Sequence, residues 1–195
     1  MIDEVSRYAA ACLAKRDGET EDRTKIYQIG VDVVLSTIFT IVGIGVLAAL
    51  FKNLAGAALF LACFITVRSY SGGYHAATRT RCFFLTCGAY AVTLWASGVL
   101  SDMLHGTSLF LVTGLMAAAE LAVFVVFVPV ENKHKRLPPD WKRRNRKKAW
   151  FGLLGWKAAA IIFYQVSPVL SLQILVTEAV ITILILWCRP WKEDL

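Results

Sequence analysis

The sequence is poor in charged residues and lacks the short motifs of many soluble enzymes. Asp, Glu, Lys and Arg make up 18% of its 195 residues, whereas 57% are hydrophobic. It has no Walker or dinucleotide-binding glycine loop, no CxxC pair and no HExxH sequence. These absences argue against a nucleotide-binding fold and against a zinc or redox centre. We therefore predict a protein that uses no metal and no cofactor.

Cysteines are few and irregularly spaced. There are five, an odd number, at positions 12, 63, 82, 87 and 188. Such a set is not typical of a disulfide framework. Because most cysteines in membrane proteins are small packing residues, we interpret Cys63, Cys87 and Cys188 in this way. Cys82 differs from them because it ends a polar segment.

Apolar runs long enough to cross a bilayer recur along the chain. They predict a single-domain, all-α, polytopic membrane protein with six transmembrane helices, at 29–51, 54–67, 83–100, 108–128, 150–166 and 169–188. The second run has only 14 residues. Either Lys52 and Arg68 extend outward from it to water, or the helix continues into the polar segment that follows.

Lys and Arg are unevenly distributed among the connecting segments. They precede the first span, lie between spans two and three, and number nine within the basic loop 129–149, whereas the alternate connections contain only Lys52. Because positive charge collects on the cytoplasmic side, both termini and the segments 68–82 and 129–149 are predicted to be cytoplasmic. The net charge of +7 then requires no nucleic acid. Residues 1–28 are interpreted as an amphipathic segment on the inner surface, with a solvated tail as the alternative.

The polar segment VRSYSGGYHAATRTRC, residues 67 to 82, separates two apolar runs. A simple turn needs only about four residues, and this segment also contains the residue types of a thiol nucleophile and its base. On a continuous helix His75 and Cys82 would share a face but lie about 10.5 Å apart along the axis. The segment is therefore predicted to be partly non-helical, which Gly72 and Gly73 allow because glycine accepts a positive φ.

Cys82 would then begin the third helix. A helix N-terminus with two arginines nearby favours a thiolate over a thiol, and His75 would exchange the proton. The alternative interpretation is an ordinary packing cysteine and an interfacial histidine.

The segment RSYSGGYHAATRTRC resembles the catalytic segment of the accessory gene regulator B (AgrB) family, the membrane peptidases of Gram-positive quorum sensing. The matching positions are Arg68, Gly73, His75, Ala76 and Cys82. The stretch VPVENKHKRLPPDWKRRNRKK is similar to the family's basic loop before span five, and EAVITILIL is similar to an acidic run in its span six.

The resemblance implies a function. Such proteins cut the C-terminal tail from a small precursor peptide, AgrD, form an acyl-enzyme, and cyclise the peptide to a thiolactone or lactone. It implies that Cys82 is the nucleophile and His75 the base, with Arg68, Gly72 and Gly73 as supporting residues. The implied partners are an AgrD-like precursor and membrane lipids, with a homodimer left open. The implied location is the plasma membrane of a Gram-positive bacterium, with the active site on the cytoplasmic side.

Two further groups of charged residues stand out. The basic loop either binds an acidic peptide tail or anchors the chain to anionic lipid. Its candidate substrate-binding residues are Lys142, Arg143, Arg144, Arg146, Lys147 and Lys148. Within the spans, Glu120, Lys157 and Glu178 lie at comparable depths, which predicts an ion pair between Lys157 and one of the glutamates.

Two other functional classes are compatible with this composition. A small peptide exporter would depend on the intramembrane charges, and Cys82 would be dispensable. A lipid-modifying membrane enzyme using His75 with a metal ranks last, because the sequence has neither clustered carboxylates nor an HExxH pattern.

Overall fold

The computed structural model describes residues 21–72, 79–104, 106–130 and 139–187. Six helices account for nearly all of these residues. They are α1 (Glu21–Leu50), α2 (Leu54–Ser71), α3 (Arg79–Met103), α4 (Thr107–Phe127), α5 (Pro139–Val166) and α6 (Pro168–Trp187). All six are long and apolar enough to cross a membrane, and the described ranges contain no β-strand. The predicted all-α architecture with six membrane helices is confirmed.

Several helices extend beyond the apolar runs. α2 continues through the start of the polar segment to Ser71, α3 begins at Arg79, and α5 begins at Pro139, well before the apolar run at 150. Hydropathy marks the part of a helix that lies in lipid, whereas Lys and Arg are good helix formers in water. A proline at the first helical position is also favourable, since its missing N–H would have no partner there.

The bundle is organised around α6. Within the molecule 61% of α6 is buried, compared with 11% of the apolar part of α1. α6 packs against α2, α3, α4 and α5, whereas α1 packs mainly against α2 and α3. Large apolar side chains on α1 such as Val34, Phe39 and Val46 are exposed. Lipid is therefore the expected neighbour of that face.

Aromatic contacts fix α2 against α3 and α5. The ring centres of Phe60 and Phe64 lie 5.2 Å apart in a stacked pair, and Tyr90 of α3 lies 5.2 Å from Phe60. Trp156 of α5 donates its indole N–H to the Thr66 hydroxyl at 2.7 Å. These contacts hold the second half of α2 in a defined position, and that half leads into the polar segment.

The two ends of the bundle differ in how the helices are connected. At one end, short turns join α1 to α2 and α5 to α6, and the Tyr90 hydroxyl donates to the Asn53 carbonyl at 3.3 Å. At the other end, the Val130 N–H donates to the Ser71 carbonyl at 3.0 Å. The segments that follow α2 and α4 therefore meet at one end of the bundle. Both were predicted to lie on the same side of the membrane.

Candidate active site

Cys82 lies in the first turn of α3, as its fourth residue. Its thiol is free and half-buried. The first four N–H groups of a helix have no partner within the helix, and they form the positive end of its dipole. Cys82 therefore lies at the positive end of the α3 dipole. The helix starts three residues earlier than the sequence analysis placed it, but Cys82 remains within its N-terminal turn.

A cavity of about 390 Å³ opens beside Cys82 between α1, α2 and α3. Its volume falls within the range of ordinary ligand pockets. It is lined by Ser36, Thr37, Thr40, Ile41, Leu61, Phe64, Ile65, Arg68, Ser69, Gly72, Cys82 and Thr86. The cavity thus brings together three of the residues singled out in the sequence, namely Arg68, Gly72 and Cys82.

Arg68 occupies the last turn of α2. The carbon at the centre of its guanidinium group lies 5.0 Å from the centre of the Phe64 ring, which is within the range of a cation–π contact. Phe64 is itself buried and stacked on Phe60. This contact holds a permanent positive charge at the cavity that Cys82 lines.

Gly72 ends α2 in a conformation that few residues other than glycine adopt. Its φ is 74° and its ψ is −157°, a region essentially restricted to glycine. A Cβ atom at this position would lie 2.5 Å from the Val130 carbonyl oxygen. Gly72 thus adopts a positive φ, which the sequence analysis noted that glycine accepts. Close approach by the segment after α4 is a second requirement for glycine that the sequence did not reveal.

Three hydroxyl residues of α1 line the same cavity and were missed by the sequence analysis. The Thr37 hydroxyl donates to the Val33 carbonyl and the Thr40 hydroxyl donates to the Ser36 carbonyl, each at 2.8 Å. Because those protons are used within the helix, the two hydroxyl oxygens are left with acceptor capacity only. The sequence feature that could have identified them is the group of three hydroxyl residues within an otherwise apolar span.

Two predicted site residues, His75 and Gly73, lie outside the described residues. The same holds for the side chain of Arg79, whose backbone begins α3. That His75 lies close enough to Cys82 to exchange a proton with its thiol therefore stays a prediction. So does the non-helical character of the segment between Gly72 and Arg79.

The six candidate substrate-binding residues lie in the first three turns of α5, and their side chains are exposed. Arg146 donates to the Val125 carbonyl at 3.1 Å, which fixes this basic end of α5 against the end of α4. Lys148 lies 5.1 Å from the centre of the Tyr70 ring on α2. The basic turns therefore lie at the end of the bundle where Gly72 and Val130 meet. Their role in substrate binding stays a prediction.

The three charged residues within the spans meet in one cluster. The Lys157 ammonium contacts a carboxylate oxygen of Glu120 at 2.5 Å and one of Glu178 at 3.0 Å. The sequence predicted a pair with one glutamate, and the structure shows contacts with both. Neither Glu120 nor Glu178 lines the cavity beside Cys82.

The chain is similar in sequence to members of one protein family. The family model described as "Accessory gene regulator B" matches residues 6–189. Two curated relatives from Clostridium perfringens, named "Putative AgrB-like protein 2" (strain 13 / Type A) and "Putative AgrB-like protein" (strain SM101 / Type A), are each 24% identical over 159 residues. Those alignments cover 79% of this chain and 72% of each relative. No solved structure matches.

The family match spans every helix of the bundle and the polar segment that ends at Cys82. The similarity to the two relatives also extends over most of the chain. The chain is therefore a member of the accessory gene regulator B family.

Proposed function

We propose that this chain is a membrane-embedded cysteine endopeptidase that removes the C-terminal tail of an AgrD-like precursor and cyclises the remaining peptide through a Cys82 acyl-enzyme. Family membership supports the coarser statement, a role in processing a quorum-sensing peptide. The observation that carries the finer proposal is the Cys82 thiol at the first turn of α3, lining a cavity with Arg68 and Gly72.

The first chemical step is attack by the Cys82 sulfur on the carbonyl carbon of the scissile peptide bond. The C–N bond breaks, and the tail leaves as an amine after receiving the proton that His75 took from the thiol. The product is a thioester between Cys82 and the new C-terminus of the peptide. Backbone N–H groups at the start of α3 are the proposed donors to the oxyanion of the tetrahedral intermediate.

The second step is attack on that thioester by a Cys or Ser side chain within the peptide. The Cys82 sulfur leaves as the thiol, and the peptide closes into a thiolactone or lactone ring. Water would instead hydrolyse the thioester, so the internal nucleophile must be held close. A well-oriented tethered nucleophile reaches an effective concentration of up to about 10⁵–10⁸ M. Leu61, Phe64 and Ile65 of α2 form an apolar part of the cavity wall, which would limit the access of water to the thioester.

Sequence position supports His75 as the proposed base. His75 follows Gly72 by three positions and precedes Cys82 by seven. Gly72 and Cys82 line the same cavity.

The basic turns of α5 are the proposed contact for acidic groups. Lys148 lies on Tyr70, two residues before Gly72 in α2. A precursor with an acidic tail would meet this positive surface when its scissile bond is near Cys82. Anionic lipid headgroups are the alternative ligand, with attraction of roughly 1 kcal/mol per basic residue near the surface.

The proposed site is on the cytoplasmic side of the plasma membrane, and impermeant labelling tests this. In a cysteine-free background, we expect a single cysteine at Thr107 to react with a membrane-impermeant maleimide on intact cells. A cysteine at Lys147 should react only after permeabilisation. Both native side chains are exposed, so access within the protein is matched. The opposite labelling pattern would place the site outside.

Reconstitution tests the function itself. Purified protein in lipid vesicles is mixed with a synthetic AgrD-like precursor that has an amphipathic start, an internal Cys or Ser and an acidic tail. The proposal predicts two products by mass spectrometry, the free tail and a peptide lighter by one water than its linear form. Transport of uncut precursor, with no tail released, would favour a peptide exporter that depends on the intramembrane charges.

A further inference from the structure

The charge cluster at the centre of the bundle is not electrically balanced. Glu120 of α4, Lys157 of α5 and Glu178 of α6 would together carry one excess negative charge if all were ionised. Their side chains are 4%, 14% and 0% exposed, respectively. Glu178 is the tenth residue after Pro168, which places it about 15 Å from that end of the helix. This depth is near the middle of a hydrocarbon layer of about 30 Å.

Each carboxyl group has one oxygen that lacks a hydrogen-bond partner. Glu120 Oε2 and Glu178 Oε2 accept from Lys157, whereas Glu120 Oε1 and Glu178 Oε1 are buried without a partner. An ionised carboxylate with one buried, unpartnered oxygen is unfavourable in free energy in an apolar interior. A single ammonium therefore does not satisfy both groups in their ionised form.

Among the described side chains, the ion pairs of the two glutamates involve Lys157 and no second cation. The nearby titratable group on α2 is Cys63, whose fully buried thiol lies within electrostatic reach of all three charged residues. A thiol carries no positive charge. The buried polar residues that α3 and α6 otherwise contribute are uncharged, namely Thr86, Thr93, Ser97, Ser171, Gln173, Thr177 and Thr182. On α5, the nearest basic residue with a described side chain is Lys148, about 13.5 Å along the helix from Lys157.

We propose that Glu120, Lys157 and Glu178 form a proton-binding site in which the two carboxyl groups share one exchangeable proton. An O–H bond on one carboxyl gives a neutral cluster of one acid, one carboxylate and one ammonium. A metal ion fits less well, since no group of three or more His, Cys, Asp or Glu able to hold one is present in the described part of the chain. Glu178 is the expected holder of the proton, because it is more deeply buried than Glu120 and lies farther from the ammonium.

A second cavity gives this proton a route to solvent. It has a volume of about 430 Å³, lies between α4, α5 and α6, and reaches Lys157. Its polar lining residues include Thr113, Gln165 and Ser171. These lie toward the helix ends that are remote from Cys82. The proton site therefore communicates with the side of the membrane opposite the candidate active site, and its assignment does not depend on the cysteine chemistry.

Infrared spectroscopy tests the proposal on the intact protein. The protein is reconstituted in ether-linked phosphatidylcholine, which has no ester carbonyl, at a pH at which exposed carboxyl groups are ionised. The wild type is expected to show the C=O stretch of one protonated carboxylic acid, shifted in D₂O. Glu120→Gln and Glu178→Gln should each lose this band, because the remaining carboxylate then pairs with Lys157 alone. Asp102→Asn, at an exposed position near the end of α3, is the matched control and should keep it.

Lys157→Met extends the test, since both carboxyl groups should then be protonated and the band should double. If that variant does not fold, the two Gln variants decide the matter, because Gln is nearly isosteric with a protonated Glu. The absence of the band in the wild type would overturn the proposal. So would a band of unchanged intensity in both Gln variants.

Discussion

Replacing Cys82 by alanine is expected to abolish precursor cleavage without lowering the amount of protein in the membrane. The substitution removes the sulfur that is proposed to form the thioester, and no other residue lining the cavity has a thiol that could replace it. Cys82 is half-buried and makes no disulfide, so little packing is lost. His75→Ala is expected to reduce cleavage by roughly 10²–10⁴-fold, the usual contribution of a general base. Tail release and membrane abundance are measured on the same samples.

Cys87→Ala is the matched control for this experiment. Cys87 is on the same helix and is also half-buried and free, but it does not line the Cys82 cavity. Its sulfur instead lies near Gly43 of α1. Cleavage by Cys87→Ala should be close to that of the wild type. Robust tail release by Cys82→Ala would end the peptidase proposal and favour an exporter.

Replacing Gly72 by alanine is expected to have the second largest effect. The backbone conformation at this position costs a non-glycine residue about 1–3 kcal/mol. The added Cβ would also lie 2.5 Å from the Val130 carbonyl oxygen, so the segment after α4 must move. Because Gly72 lines the Cys82 cavity one turn after Arg68, we expect both a lower unfolding midpoint in detergent and a lower cleavage rate.

Gly88→Ala provides the comparison for that variant. Gly88 is in the interior of α3, six residues from Cys82, and a Cβ atom there would meet nothing within 4 Å. Alanine favours a helix over glycine by about 0.8–1.0 kcal/mol, so this variant should be as stable as the wild type or slightly more stable. Equal behaviour of the two variants would show that the contact between Gly72 and Val130 is unimportant.

Hydropathy was sufficient to predict the six membrane helices, because each crossing requires a long apolar run and the bilayer tolerates few exceptions. It was not sufficient to predict where the helices end. The basic turns of α5 and the last turn of α2 are polar, and helical structure there depends on propensity and on contacts such as that of Lys148 with Tyr70. These contacts link residues far apart in sequence.

The candidate site was predictable only in part. Arg68, Gly72 and Cys82 could be selected because they lie in one short polar segment between two spans. The hydroxyls of α1 and the backbone of Val130 could not, since they reach the site through packing of helices that are distant along the chain. The contacts of the charge cluster were also predictable only in part. Depth in the spans suggested a pair with Lys157, whereas contact with both glutamates depends on the rotation of three helices.

The central claim is that peptide processing passes through a thioester on Cys82. It is tested most directly with a precursor whose ring-forming Cys or Ser has been changed to Ala, so that the second step is blocked. The reconstituted protein is incubated with this peptide, and the intact protein is measured by mass spectrometry before and after treatment with hydroxylamine. The account predicts release of the tail and an adduct of the remaining peptide on Cys82 that hydroxylamine removes. Release of the tail without any hydroxylamine-sensitive adduct on Cys82 would contradict it.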